Sequence, residues 1–149
     1  MKQILFFVAS LFSFSLIAQD CSELFISEYV EGSSNNKAIE IYNPTSSAVD
    51  LGAYKVVRYA NGNGNIDGSG GSDEMTLSGS LSAYSTWIIT NSDTNSTNEF
   101  GYIEIELYNM ADQLAPVYPS PLYMNGNDAI GLTKNGVLID LIGKIGEDP

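Results

Sequence analysis

The sequence predicts an all-β fold, a sandwich of short antiparallel strands. Three observations lead to this class. The body of the chain is rich in Val, Ile, Thr and Tyr, clusters of Gly, Asn, Ser and Pro interrupt it at short intervals, and apolar and polar residues alternate between those clusters. The length of 149 residues and the apolar fraction of 44% fit one domain with a core of ordinary size.

The predicted strands are, in chain order, Leu24–Val30, Ala38–Tyr42, Tyr54–Tyr59, Met75–Leu81, Thr86–Thr90, Ala129–Lys134 and Val137–Ile142. In the first strand, alternation places Tyr29 on one face and Ile26 and Glu28 on the other. Thr86–Thr90 carries Trp87 between apolar residues. We therefore expect it to be the buried central strand.

Turn residues separate these strands and favour particular geometries. Asn135 and Gly136 tolerate the positive φ values of a type I′ hairpin, so they predict a tight link between the last two strands. Asn43 precedes Pro44 and is expected to close an Asx-turn. The Gly-, Asn- and Ser-rich stretch Asn61–Asp73 has too few apolar groups to pack and is expected to be a loop.

The segment Phe100–Leu114 is ambiguous, because its apolar residues fit a period of two and a helical stripe equally well. A short helix is favoured, since Asn98 and Glu99 suit a helix start. Regular structure is not expected in the next stretch, which contains Pro116, Pro119 and Pro121.

Residues 1–19 have the layout of a secretory signal peptide. Lys2 supplies the positive start, Ile4–Ile17 the apolar centre, and Ala18 a small residue near the cleavage point. The apolar run is shorter than the roughly 20 residues of a membrane span. We expect a secreted protein without a membrane span, whose domain covers residues 20–149. The pairing of the single Cys21 stays open.

Composition excludes several classes of function. The chain has no His and one Cys, which rules out within it a Ser-His-Asp triad, a Cys-His pair and a zinc ribbon. The net charge of -12 opposes the capture of nucleic acid, because phosphates must be neutralised by Lys and Arg. We expect no direct nucleic-acid binding by this chain.

Two runs of residues resemble a known family. The run Ile26–Asn43, ISEYVEGSSNNKAIEIYN, closely resembles the opening of bacterial lamin tail domains, as does Val49-Asp50-Leu51 with Tyr54. The run Asn125–Leu132, NGNDAIGL, is similar to the second half of domains of that family. The similarity continues in register through Lys134-Asn135-Gly136 and Ile139-Asp140. The resemblance covers the chain from Leu24 to Pro149.

The resemblance implies an immunoglobulin-like sandwich without catalytic residues of its own. Such domains resemble accessory modules of secreted proteins that also carry nucleases, phosphatases or other hydrolases. Two departures stand out: Phe100–Pro121 is longer than expected, and the closing strand that follows the Gly146–Pro149 turn is absent. We therefore expect a domain that is truncated at its C-terminus, lacks its last strand and leaves an edge open to association.

Polar residues of the first motif are the candidate binding residues. Glu28, Glu31, Asn36, Lys37 and Glu40 lie on or between two predicted strands. Lys37 can pair with a carboxylate, and Asn36 can hold a positive-φ turn. Two interpretations stay open: a scaffold of charged pairs and turn hydrogen bonds, or a ligand site.

A loop spacing suggests Ca²⁺ as the one possible cofactor. Asn63, Asn65, Asp67 and Glu74 fall at places one, three, five and twelve of an EF-hand-like loop with Gly68 at place six, but no helix flanks it. The looser candidate metal set is Asp67, Asp73 and Glu74. The competing interpretation is a solvated hairpin loop.

The sequence thus predicts a non-catalytic extracellular accessory module that positions an adjoining domain of the same longer chain, with a protein or a cell-surface polymer as partner. A rival enzyme would use carboxylate pairs such as Glu104 and Glu106. A calcium-binding module and a carbohydrate-binding module are also compatible with the sequence. The carbohydrate-binding module would use the Tyr residues around the Pro-rich segment, which are Tyr102, Tyr108, Tyr118 and Tyr123.

Overall fold

The computed structural model describes residues 22–99 and 101–148. Within them the strands are β1 Phe25–Glu31, β2 Lys37–Tyr42, β3 Val49–Asp50, β4 Tyr54–Tyr59, β5 Asp73–Thr76, β6 Ser80–Leu81, β7 Thr86–Thr90, β8 Gln113–Leu114, β9 Ala129–Lys134 and β10 Val137–Ile142. One short helix, α1, spans Ile105–Tyr108, and 3-10 turns lie at Leu51–Ala53, Ala60–Gly62 and Pro121–Tyr123. The predicted signal peptide and Cys21 lie outside the described residues. The described part has no helix with the length and apolar character of a membrane span.

Two four-stranded sheets form the sandwich. Their strand orders are β1-β2-β7-β8 and β10-β9-β4-β5, and β3 and β6 form a separate ribbon. Pairing is antiparallel except between β7 and β8. The predicted all-β, immunoglobulin-like sandwich is confirmed.

The main core lies between the two sheets. The β1-β2-β7-β8 sheet contributes three fully buried residues, which are Ile39 and Ile41 of β2 and Ile89 of β7. The other sheet contributes Val56 of β4 and Leu132 of β9, which are also fully buried. Burial of such aliphatic side chains is the main favourable term that holds the layers together.

Most predicted strands are confirmed, and β7 is an interior strand of its sheet, with Trp87 partly buried against the core. The prediction of one strand over Met75–Leu81 is wrong. The chain bends there, with Gly79 at a φ of 103°, so that β5 pairs with β4 and β6 pairs with β3. The positive φ of Gly79 is not compatible with a continuous strand.

A β-bulge overturns the predicted faces of β1. The register with β2 shifts between Ile26 and Glu28, which adds one residue and reverses the alternation after that point. Tyr29 therefore packs against the main core on the same side as Ile26, and Glu28 is exposed.

The predicted short helix exists, but the expected start at Asn98 and Glu99 is wrong. The helix begins at Ile105, and β8 takes up the end of the ambiguous segment. Asn98 instead ends a turn, because its N–H donates to the carbonyl of Asn95 at 2.9 Å. Short polar side chains such as Asn are favoured in turns as well as at helix starts, so the residue type alone does not distinguish the two.

The predicted turns at two places are confirmed. Asn135 and Gly136 have φ values of 51° and 80°, as a type I′ hairpin requires, and β10 lies at the edge of its sheet. Asn43 closes an Asx-turn, since its Oδ1 accepts a hydrogen bond from the N–H of Thr45 at 3.0 Å.

Candidate ligand-binding cleft

Loops at one end of the sandwich enclose a cleft of about 1010 Å³. Its walls come from the segments 34–37, 58–63, 72–73, 93–98 and 117–125. Most of these segments connect strands, so the sheets hold the cleft while loop residues line it. Loops placed on a rigid scaffold commonly carry binding residues.

Arg58 of β4 lies in the floor of this cleft between two carboxylates. Its Nε donates to Oδ2 of Asp73 at 2.9 Å, and its Nη1 lies 3.1 Å from Oδ2 of Asp128. Asp73 is within reach because it is the cross-strand partner of Arg58 on β5. Burial disfavours the charge of Arg58, but these hydrogen bonds outweigh it and raise its pKa above the usual value. The guanidinium therefore stays charged.

Asp128 also accepts hydrogen bonds from backbone N–H groups in two loops that lie next to Arg58. Its side chain is 1% exposed. Oδ1 accepts the N–H of Asn61 at 3.0 Å, and Oδ2 accepts the N–H of Asn125 at 3.1 Å. One buried carboxylate thus joins strand β4, the turn after it and the loop before β9.

A second wall forms where the β1–β2 loop meets the segment before α1. The N–H of Asn35 donates to the carbonyl of Tyr102 at 3.1 Å, and its Nδ2 donates to the carbonyl of Gly101 at 2.8 Å. The hydroxyl oxygen of Ser34 accepts a hydrogen bond from the N–H of Tyr102 at 2.7 Å. These bonds order two loops that are distant in sequence.

Two predicted site residues lie here: Asn36 in this loop, and Lys37 at the start of β2 directly after it. Asn36 accepts the N–H of Glu104 through Oδ1 at 2.8 Å. The expectation that Asn36 holds the positive-φ position is wrong: Ser34 has that conformation, with a φ of 60°. Lys37 lines the cleft, donates to the carbonyl of Gly32 at 2.9 Å and lies 3.7 Å from the carboxylate of Glu31.

The remaining predicted binding residues lie away from the cleft lining. Glu31 accepts the hydroxyl of Tyr29 at 2.6 Å, and burial together with this bond raises the pKa of Tyr29. Glu28 and Glu40 are cross-strand partners, and Glu40 accepts the hydroxyl of Ser27 at 2.6 Å. The structure thus brings Glu31, Asn36 and Lys37 to the two ends of the β1–β2 loop and leaves Glu28 and Glu40 further along the sheet.

The residues of the candidate calcium site do not come together. Asp73 binds Arg58, Glu74 forms a 2.5 Å ion pair with Lys55, and Asp67 accepts the N–H of Ser69 on an exposed loop. Across residues 22–99 and 101–148, no group of three Asp, Glu or Cys side chains is placed to hold a metal ion. This donor set does not fit the several close oxygens that Ca²⁺ requires.

Aromatic and amide side chains complete the cleft. Tyr118, at the rim, is 67% exposed, and its ring meets that of Tyr123 edge to face at 5.5 Å between centroids. Asp93 also lines the cleft: its Oδ1 accepts a hydrogen bond from the N–H of Asn95 at 3.0 Å, and its Oδ2 accepts one from the amide of Asn98.

Sequence reasoning missed Arg58, Asp93 and Asp128. Arg58 carries a signal, because it is one of only six cations and lies in the otherwise largely apolar strand YKVVRY. Asp128 belongs to the NGND run that carries the family resemblance. The pairing of Arg58 with Asp128 spans 70 positions, which local pattern analysis does not reach.

A comparison with protein-family models matches residues 18–146 to the model described as Lamin Tail Domain. A search of curated proteins finds no match to the chain. The matched range contains both sheets and the whole cleft. The chain therefore belongs to the lamin tail domain family, whose members are immunoglobulin-like modules.

Proposed function

We propose that this chain is a non-catalytic extracellular accessory module. It tethers an adjoining domain of a larger secreted protein to a protein or a cell-surface polymer, and the cleft is its binding surface. The observation that carries the proposal is a large polar cleft in which the charged side chains are already engaged with one another or with the backbone. Such a surface is suited to recognition, and its charged side chains are already occupied by other bonds.

The carboxylates of the cleft support binding rather than catalysis. A general acid or base must exchange a proton with the substrate. Asp73 and Asp128 instead neutralise Arg58, and Asp93 accepts bonds from the loop that contains it. The chain also has no His.

The rival carboxylate pair is poorly placed for hydrolysis. Glu104 and Glu106 are exposed, and neither lines the cleft. Glu106 lies in the first turn of α1 and Glu104 precedes it, so they do not share the strand face on which their pairing depends.

Charge disfavours nucleic acid as the partner. Lys2 lies outside the described residues, and the other five Lys and Arg residues each form an ion pair. Phosphates would have to compete with those carboxylates on a chain with a net charge of -12.

Three measurements test the proposal. Mass spectrometry of the protein recovered outside the producing cells should find about 18–20 N-terminal residues removed; an intact Met1 would refute export. The protein, fused to a fluorescent reporter, should be retained on those cells and should turn over no nucleic acid, phosphoester or polysaccharide. Turnover that Glu104→Gln or Glu106→Gln abolishes would show an enzyme instead, and a fusion that washes off the cells would refute tethering.

A further inference from the structure

We propose that the cleft binds an uncharged oligosaccharide segment. This inference rests on the tethering function and names the ligand by which the module would hold a cell-surface polymer. It follows from four properties of the cleft: its size, its amide-rich lining, its internally paired charges and the exposed aromatic ring at its rim.

The size and shape of the cleft suit a small linear ligand. Its volume of about 1010 Å³ lies at the upper end of small-molecule sites, which span roughly 300–1,000 Å³. A stable protein partner usually covers a flatter surface of about 800 Å² on each side. A concave polar site between loops fits an extended chain of polar rings better than a protein face.

Amide side chains give the cleft paired donors and acceptors. The side chain of Asn125 has no hydrogen-bond partner within the described part of the chain, where its backbone N–H and carbonyl are the groups engaged. Asn61 accepts a bond from Asn127 through Oδ1, which leaves its Nδ2 available to a ligand. An amide donates and accepts, as the hydroxyl groups of a sugar do, so the two are complementary.

Internal pairing disfavours an anionic ligand. Arg58 forms ion pairs with Asp73 and Asp128. Lys37 forms an ion pair with Glu31 and donates a hydrogen bond to the carbonyl of Gly32. An incoming carboxylate or phosphate would have to break these bonds and would meet the buried acids behind them. A neutral ligand carries neither cost.

Tyr118 provides a surface on which a sugar ring can stack. Its ring is 67% exposed and is braced by Tyr123. The C–H face of a pyranose packs against an aromatic face while its hydroxyls reach polar neighbours, and a tyrosine ring combines both properties. Because the ring is already braced, little conformational entropy is lost on binding.

Isothermal titration of the protein with neutral hexasaccharides tests this inference. The probes are β-1,4-glucan, β-1,3-glucan, β-1,4-xylan, α-1,4-glucan and chitin oligomers, with oligogalacturonate as the anionic comparison. At least one neutral probe should bind, and oligogalacturonate should bind weakly or not at all. Tyr118→Ala and Asn125→Ala should each weaken binding by about tenfold, the effect of losing one good contact. Tyr118→Phe should retain it.

Tyr84→Ala is the matched control, because Tyr84 is 63% exposed but does not line the cleft. Its affinity should equal that of the wild type, and circular dichroism should show that all variants are folded. No heat with any neutral probe at millimolar concentration, equal affinity in Tyr118→Ala and Tyr84→Ala, or stronger binding of oligogalacturonate would overturn the inference. If neutral probes fail while the fusion still adheres to cells, the tether stands and its partner is not a neutral oligosaccharide.

Discussion

The Nη1 of Arg58 and the Oδ2 of Asp128 lie 3.1 Å apart, although 70 positions separate the two residues. Both side chains are largely removed from solvent, with 11% and 1% exposed. The pair joins β4 to the loop before β9 at the floor of the cleft. The geometry of the candidate binding surface therefore depends on a buried ionic contact in the fold.

Arg58→Met should lower the free energy of unfolding by about 3–5 kcal/mol, because removing one partner leaves buried carboxylates uncompensated. Urea denaturation at pH 7 measures this change. Lys144→Met is the control: its ion pair with Glu147 is highly exposed, and its loss should cost less than about 1 kcal/mol. Equal effects of the two substitutions would show that the Arg58 pair does not support the fold.

Asn43→Ala should lower the free energy of unfolding by about 2–3 kcal/mol. Asn43 is fully buried, and its Nδ2 donates to the carbonyls of Ser47, Leu81 and Ser82. Alanine would leave these acceptors unpaired. Asn125→Ala, which removes an exposed side chain, should change stability by no more than about 0.5 kcal/mol. A loss below about 1 kcal/mol for Asn43→Ala would contradict this account of the turn.

Gly101→Ala should disturb the wall between the β1–β2 loop and the segment before α1. Gly101 has a φ of 93°, and an added Cβ would collide with the hydroxyl of Ser34, which holds Tyr102. We expect a loss of about 1–3 kcal/mol in stability, measured by thermal and urea unfolding. Gly126→Ala is the matched control, because a Cβ added at Gly126 would meet no atom within 4 Å. Equal stability of the two variants would show that the loops are not tightly joined.

Glu23 should contribute stability that is lost in acid. Burial raises its pKa, but hydrogen bonds from Lys134 and Tyr54 outweigh burial, so the pKa lies below the usual 4.5. A lowered pKa in the folded state means that the contribution is complete above pH 4.5 and disappears as the pH falls through the folded value.

Glu23→Gln should therefore destabilise the protein near neutral pH, and its difference from the wild type should shrink as the pH falls below about 4. Urea denaturation across the pH range measures this difference. Glu28→Gln serves as the control, since Glu28 is exposed on β1 and forms no ion pair among the described residues. If the loss of stability in Glu23→Gln relative to the wild type became larger as the pH falls, the result would contradict the proposed role of Lys134.

The sheets can be predicted because their signals are local. Residues of high β propensity identify Tyr54–Tyr59 and Val137–Ile142, and the Asn135–Gly136 pair identifies the hairpin. The bulge beyond Ile26 cannot be predicted in this way, because one extra residue leaves the composition of β1 unchanged while reversing its faces.

The cleft is less accessible to prediction. The first motif identifies Lys37, but its neighbours Arg58 and Asp93 lie in other elements, and only the fold brings them to one end of the sandwich. The EF-hand-like spacing is misleading, because Asp73 and Glu74 alternate along β5 and pair with Arg58 and Lys55.

The most direct test of the cleft as the binding surface is an NMR titration of the ¹⁵N-labelled protein with soluble fragments of the cell-surface polymer from the producing cells. We expect saturable shift changes in the backbone amides of Asn35, Asn61 and Asn125, with no cleavage of the fragments. Changes confined to Glu28 and Glu40 on the outer sheet surface, or fragments shortened by the protein, would contradict the account.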